Sequence, residues 1–332
     1  MNVLFLIQGH DRPSSRYRVL QYLPYLKQKG VKTTVVVYPR DIGGSRKIYR
    51  EIGDYDVVFI QRKRPHPLFL YLLQQRAKRL IYDFDDAVMY RSANAALPYS
   101  KTRERQFGRM VKAADHVIAG NTFLKDQTRR YTNQVTVIPT AIDIKKYAPK
   151  NYKMKHTKVT IGWIGSSSTL PYLDDMKGVF EELGERYKHV ELKVICDTFI
   201  NCEKISVIKK IWSEKEEIAD LKSLDIGVMP LSDDPWSRGK CGLKIMQYFG
   251  VGIPVVCTPV GINRDVVQDE INGFWAVTKE EWIEKLSILI EDSSLRQEMG
   301  LRGREIVRES YSIQACAPRF YRVLNEVAQK DA

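Results

Sequence analysis

Arg238–Asn263, RGKCGLKIMQYFGVGIPVVCTPVGIN, reads as a loop, a short helix, a buried strand and a second loop. Leu243, Met246 and Phe249 or Gly250 fall on one helical face, and Gly250 and Gly252 end the helix. IPVVC is short, apolar and β-branched, the composition of a strand buried on both faces of a parallel sheet. Helix and strand in this succession predict an α/β fold. Arg238, Lys240 and Lys244 crowd the start of the helix, where free N–H groups already carry positive potential. Each such cation costs roughly 0.3 to 1 kcal/mol. A bound diphosphate reverses that sign, because amides, dipole and lysines then all face negative charge. Solvated, snorkelling lysines are the alternative. The stretch is therefore a candidate phosphate site. Lys240 and Lys244 are its cations, Gly239 and Gly242 leave the backbone open to a ligand, Gly242 and Leu243 offer N–H groups, and Gln247 can bind sugar hydroxyls.

The chain has 332 residues, too many for one ordinary α/β core and suited to two domains of about 150 each. At 44% hydrophobic residues it can bury two cores. MNVLFLI lacks a basic leader and no apolar run approaches the roughly 20 residues of a membrane span, so a cytoplasmic protein is expected. Five cysteines without a CxxC pair fit reduced thiols, with Cys241 a loop filler. The net charge of +13 is uneven: residues 1–150 hold 28 Lys and Arg against 12 Asp and Glu, and residues 151–332 hold 25 against 28. An anionic partner is expected on the first half, either an acidic or lipid-linked acceptor or an anionic membrane surface at which the protein is peripheral. Nucleic acid is not expected, because no recognition helix, zinc pattern or aromatic-basic RNA motif accompanies the charge.

NVLFLI is a buried strand followed by a loop and a predicted helix over 15–29. No GxGxxG follows it, which argues against a dinucleotide fingerprint. Arg16 and Arg18 lie just past this strand, and YDVVFIQRKR ends in Arg62, Lys63 and Arg64, so basic groups gather where ligands of open α/β sheets bind. Arg16, Arg18, Arg62 and Lys63 are the candidate acceptor-binding residues. RLIYDFDD brings Asp83, Asp85 and Asp86 to the same edge, as partners for those arginines or as site groups. Asp-Phe-Asp also has a DxD spacing, but no further ligand accompanies it and no metal site is expected. The polar stretch near Lys153 suits a crossing between domains, and VTIGWIG with SSSTL then restarts the pattern. Gly165, Ser166 and Ser167 form a small-residue turn able to offer N–H and hydroxyl groups to phosphate, and Trp212 is a candidate frame for a nucleobase. Ser213 and Glu216 have capping-box spacing.

VTVIPTAID, DIGVMPL, GLKIMQYFGVGIPVVCTPVGINRDVVQDEINGF and SSLRQEMGLRGREIV together resemble the retaining glycosyltransferases of family-4 type, glycosyl transferases group 1. The resemblance implies a GT-B fold: α/β, two doubly wound Rossmann-like domains facing a central cleft. It also implies an acceptor-binding domain over 1–153 with a crossing C-terminal helix at 313–330, and a donor-binding domain over 154–312. The implied activity is transfer of a sugar from a nucleoside diphosphate sugar to an acceptor hydroxyl with retention, without a further cofactor, as in polysaccharide or glycolipid synthesis. Where the family carries two glutamates spaced by seven residues, this chain has Gly239 and Gln247, and Gly165 is followed by Ser166 rather than arginine. Its GKC-x-x-K pattern resembles one branch of the family. With those family residues absent, Lys240, Lys244, Asp85 and Asp86 are the candidate catalytic groups. A non-catalytic sugar-nucleotide-binding subunit, or an epimerase or hydrolase on the same fold, is the alternative.

Overall fold

The computed structural model describes residues 1–39, 41–92, 95, 97–153 and 157–329. Its first elements are β1 (Asn2–Ile7), α1 (Pro13–Arg18), α2 (Leu23–Gln28), β2 (Lys32–Val37), α3 (Ile42–Glu51), β3 (Val57–Gln61), α4 (Pro67–Arg76), β4 (Leu80–Phe84), α5 (Lys101–Ala113), β5 (His116–Ala119), α6 (Thr122–Arg129) and β6 (Val135–Val137). There follow β7 (Val159–Ile164), α7 (Leu170–Asp174), α8 (Lys177–Arg186), β8 (Val190–Cys196), β9 (Ser206–Ile211), α9 (Glu217–Lys222), β10 (Ile226–Met229), α10 (Pro235–Arg238), α11 (Leu243–Gly250) and β11 (Val255–Cys257). The last are α12 (Asn263–Val266), β12 (Gly273–Trp275), α13 (Lys279–Glu291), α14 (Ser293–Ser310) and α15 (Ile313–Gln329).

The chain forms two compact units. Unit 1 gathers Met1–Ala141, Asp234–Cys241 and the last helix; unit 2 gathers Ile142–Asp233 and Gly242–Ser312. Unit 1 holds a six-stranded sheet of order β2-β1-β3-β4-β5-β6, and unit 2 one of order β12-β11-β10-β7-β8-β9. Every pairing is parallel. The central strands β3, β4 and β7 are buried throughout and largely apolar, as expected when helices cover both faces. In each sheet the order reverses once, between β1 and β3 and between β7 and β10. Ligands of doubly wound sheets bind outside the carboxyl ends of the strands at such switch points.

Helix α15 closes one face of the first sheet. Phe320 stacks on Tyr22 at 4.6 Å between ring centroids and lies 5.6 Å from Phe59. Unit 2 has its own core, in which Trp163, Phe180 and Leu192 of β7, α8 and β8 pack with Trp282 and Leu286 of α13.

The expected helix over 15–29 is interrupted. It is α1, a 3-10 turn at Leu20–Tyr22 and then α2, whose second residue is Pro24. Proline lacks an N–H and fits the first turn of a helix best, so the chain restarts there. The expected capping box also differs. Ser213 donates its hydroxyl to Glu216, which is itself the residue before α9. Residues 142–153, expected as a crossing stretch, pack as part of unit 2. Tyr147 donates to Glu217 at 3.2 Å, and the Lys150 ammonium reaches Asp225 at 2.6 Å.

Candidate functional site

In unit 1, two arginine–carboxylate groups occupy the ends of β3 and β4. Arg18 is 1% exposed and donates to Asp83 and to the Ile138 carbonyl, the latter at 2.6 Å. Burial opposes its charge, yet the adjoining Asp83 carboxylate raises the guanidinium pKa above its ordinary value. Arg18 was a candidate acceptor residue; its place is instead in the interior, as the counter-ion of Asp83. With Asp83 so engaged, the DxD spacing does not present two carboxylates to one point. Among the described residues no group of three or more His, Cys, Asp or Glu is disposed to hold a metal ion.

Arg62 donates to Asp85, and its other arm lies 2.7 Å from Asp86. Lys240 reaches Asp86 as well, at 3.0 Å. Burial alone would raise the Asp86 pKa, but Arg62 and Lys240 hold it below the ordinary carboxylate range. Arg62, Asp85, Asp86 and Lys240 thus form one network.

Lys240 arrives there through a short loop built in unit 1. The Asp234 carboxylate accepts from the Trp236 and Ser237 amides at 2.8 and 3.0 Å, starting α10. Asn121, buried, caps α6 with its oxygen and donates with its nitrogen to the Arg238 and Lys240 carbonyls at 3.1 and 2.9 Å. The sequence showed the cap but not this second duty, which needs a partner more than a hundred residues away. A Cβ on Gly239 would stand 2.5 Å from that of Ala87. This glycine therefore admits Ala87, rather than the ligand expected from the sequence. Burial pushes the Cys241 thiol up, and its sulfur packs in the core of unit 1 as an unreactive filler.

A cavity of about 310 Å³ opens beside the network, with Gln8, Arg62, Arg64, Asp86, Arg103 and Trp236 in its wall. Gln8 follows β1 and Arg62–Arg64 follow β3, so it lies at the switch point of the first sheet. Lys63 also lines it. Arg16 lies instead against the Tyr17 ring, 4.4 Å from the ring centre. Arg64 was read only as part of the basic cluster after β3, and Arg103 and Trp236 were not singled out; only the topology brings that loop, α5 and α10 to one wall.

In unit 2, Gly242 has φ of +66° and begins α11, a conformation that glycine adopts without strain. Leu243 and Lys244 occupy the first turn. The Lys244 ammonium lies 4.1 Å above the Trp163 ring and 3.3 Å from the Thr169 hydroxyl. Lys244 is thereby held over the turn that leaves β7. In that turn Gly165 donates to the Ile195 carbonyl, Ser166 caps the 3-10 turn after it, and Ser167 donates its amide and hydroxyl to Asp197 at 2.7 and 2.9 Å. Hydrogen bonds from Cys196 and Ser167 lower the Asp197 pKa. Ser167 is thus already matched with an anion of the protein itself.

Gln247 is buried within α11, and Tyr248 beside it accepts the Ile164 N–H at 3.0 Å, tying the helix to β7. Trp212 is half-buried and donates its indole N–H to Glu217 at 3.0 Å. In unit 2 Lys244 therefore reaches the turn after β7 that holds Gly165, Ser166 and Ser167, while Gly242, Leu243 and Gln247 share its helix α11; Arg62, Lys63, Asp85, Asp86 and Lys240 lie in unit 1. Lys240 and Lys244, four residues apart, belong to different units.

Residues 184–306 match the model of the family Glycosyl transferases group 1. An uncharacterized glycosyltransferase of Methanocaldococcus jannaschii is 26% identical over 168 residues, 49% of this chain and 36% of that protein, so the match spans about a third of the relative's length. Among solved structures, sucrose-phosphate synthase from Thermosynechococcus elongatus superposes with a TM-score of 0.71 at 14% identity, covering 98% of each chain. Anabaena HepE, solved in complex with UDP-glucose, gives the same TM-score at 15% identity over 98% of this chain and 100% of that one. The chain thus has the GT-B fold, with a stretch similar to the glycosyl transferases group 1 at 184–306.

Proposed function

We propose that this protein is a glycosyltransferase that moves a sugar from a nucleoside diphosphate sugar to an acceptor hydroxyl with retention at the anomeric carbon. Unit 2 holds the donor. The observation that carries the reading is Lys244, a cation held by Trp163 and Thr169 in the first turn of a helix whose free amides favour an anion. As the bond from the anomeric carbon to the diphosphate oxygen breaks, negative charge gathers on the leaving group. Lys244 and the Gly242 and Leu243 amides stabilise that charge. Ser166 assists at the phosphate, Gln247 at ribose or sugar hydroxyls, and the acceptor proton leaves on the departing phosphate oxygen, so no enzyme nucleophile is needed. Unit 1 receives the acceptor. There Lys240 and Arg62 fix Asp86, whose carboxylate orients the incoming hydroxyl.

The match at 184–306 supports the transferase class, and the UDP-glucose complex of HepE supports a uridine donor. The basic charge of unit 1 favours an anionic or lipid-linked acceptor, in cell-surface polysaccharide or glycolipid synthesis by a protein peripheral to a membrane. Among the described residues no helix is long and apolar enough to cross one.

A thermal-shift panel of UDP, GDP, CMP and their sugars tests the donor. Stabilisation by about 2.7 kcal/mol is expected from the right diphosphate at 100 times its dissociation constant. A chain that responds to none of them is not a nucleotide-sugar enzyme. Sugar release from the bound donor without an acceptor would point instead to a hydrolase.

A further inference from the structure

We propose that the cavity beside β1 and β3 in unit 1 binds a phosphate group carried by the acceptor, with Trp236 as a platform for the ring of an attached sugar. Only the word acceptor rests on the transferase reading. The chemistry of the pocket stands by itself.

The arginines of this wall divide into two kinds. Arg62 is already matched by Asp85 and Asp86, and Lys240 beside the wall also reaches Asp86. Arg64 and Arg103 differ. Arg64 donates to the Val88 carbonyl at 2.6 Å and Arg103 to the Tyr90 carbonyl at 2.9 Å, so both heads are anchored on the stretch that follows β4. Among the described residues neither has a carboxylate within salt-bridge distance. Each is half-buried, and burial together with the nearby Arg103 depresses the Arg64 pKa.

Two fixed guanidinium groups of like charge in a recess favour an anion that can accept from both. A phosphate ester suits them, since it carries about −1.5 to −2 charges and three acceptor oxygens. One carboxylate would offset only one of the two. The cation field also makes the recess inhospitable to a neutral apolar ligand.

The rest of the wall accommodates a small polar ring. Gln8 and Gln106 bring amides that both donate and accept, matching hydroxyl groups. The Trp236 indole gives a flat apolar surface, and the Lys240 ammonium 4.5 Å from its ring centre holds it in place. About 310 Å³ is at the small end of ligand pockets, a size for one phosphorylated sugar rather than a whole nucleotide sugar.

Isothermal titration of the full chain with glucose 6-phosphate and with glucose reads the preference directly. A second arm uses phosphatidylcholine vesicles with and without a polyprenyl phosphate, and so separates a sugar phosphate from a lipid phosphate. At least tenfold tighter binding of the phosphorylated member in one arm is expected. The Arg64→Gln, Arg103→Gln double variant should abolish that difference, each arginine being worth about tenfold or more. If the double variant does not fold, Arg103→Gln alone should lose about tenfold. Equal binding of phosphorylated and unphosphorylated members in both arms overturns the proposal, as does a variant that keeps the full preference. UDP titrated into the same samples keeps the two readings apart: phosphate binding without UDP binding leaves this pocket standing and removes the donor site.

Discussion

Lys244→Ala isolates the diphosphate charge at the scale of one side chain. Loss of a preorganised contact made in the transition state lowers kcat by about 10²–10³-fold. Donor turnover followed by nucleotide release should show that loss, with KM for the donor changed far less. An unaltered kcat would mean a solvated lysine. The residue scale also marks the limit of reading by spacing. Lys240 and Lys244 look like one cationic pair in sequence, yet the first is matched with Asp86 and the second lies over Trp163. Nothing local distinguishes them, because the partner of each comes from a distant strand end. Arg18 misleads for the same reason. Its position after β1 is that of a ligand contact, but the fully buried Asp83 draws it inward. For the acidic run, arginine partners were one of the two readings that the sequence left open, and each of Asp83, Asp85 and Asp86 does meet an arginine.

At the scale of elements, hydrophobic periodicity reported the strands well. β3, β4 and β7 are apolar but for Gln61, Asp83 and Thr160, because both of their faces are covered. Helix limits were less legible: Pro24 restarts a helix that the apolar pattern carries straight through. Sheet order lay beyond the pattern altogether, and with it the switch points beside which the two candidate groups lie. Helix α15 shows how an element far along the chain completes an early core. Phe320 is 1% exposed and meets Phe5, Tyr22 and Phe59. Phe320→Ala removes that packing and should cost about 3–5 kcal/mol. Amide exchange in β1 and β3 would quicken accordingly, while β7 and β8 of unit 2 keep their protection. Equal loss in both sheets would show that Phe320 does not act on the first core alone.

Across the whole molecule, the charge asymmetry survives when residues are divided by structural unit. Unit 1 holds 30 Lys and Arg against 14 Asp and Glu, and unit 2 holds 23 against 26, so their net charges are +16 and −3. The two proposed phosphate sites therefore lie in different fields. At Lys244 the attraction comes from one fixed cation and helix amides, at contact distance. In unit 1 the contacts of Arg64 and Arg103 are reinforced by many exposed cations farther off. Salt separates these contributions, since the screening length falls from about 30 Å at 0.01 M to about 8 Å at 0.15 M ionic strength. Contact interactions persist through that change, and the summed distant attraction does not. The dissociation constant for glucose 6-phosphate should thus rise more steeply with salt than that for UDP, and glucose should show almost no change. Parallel slopes for the two phosphates would mean that unit 1 exerts no long-range pull of its own. The charge of the first half would then belong to another partner surface.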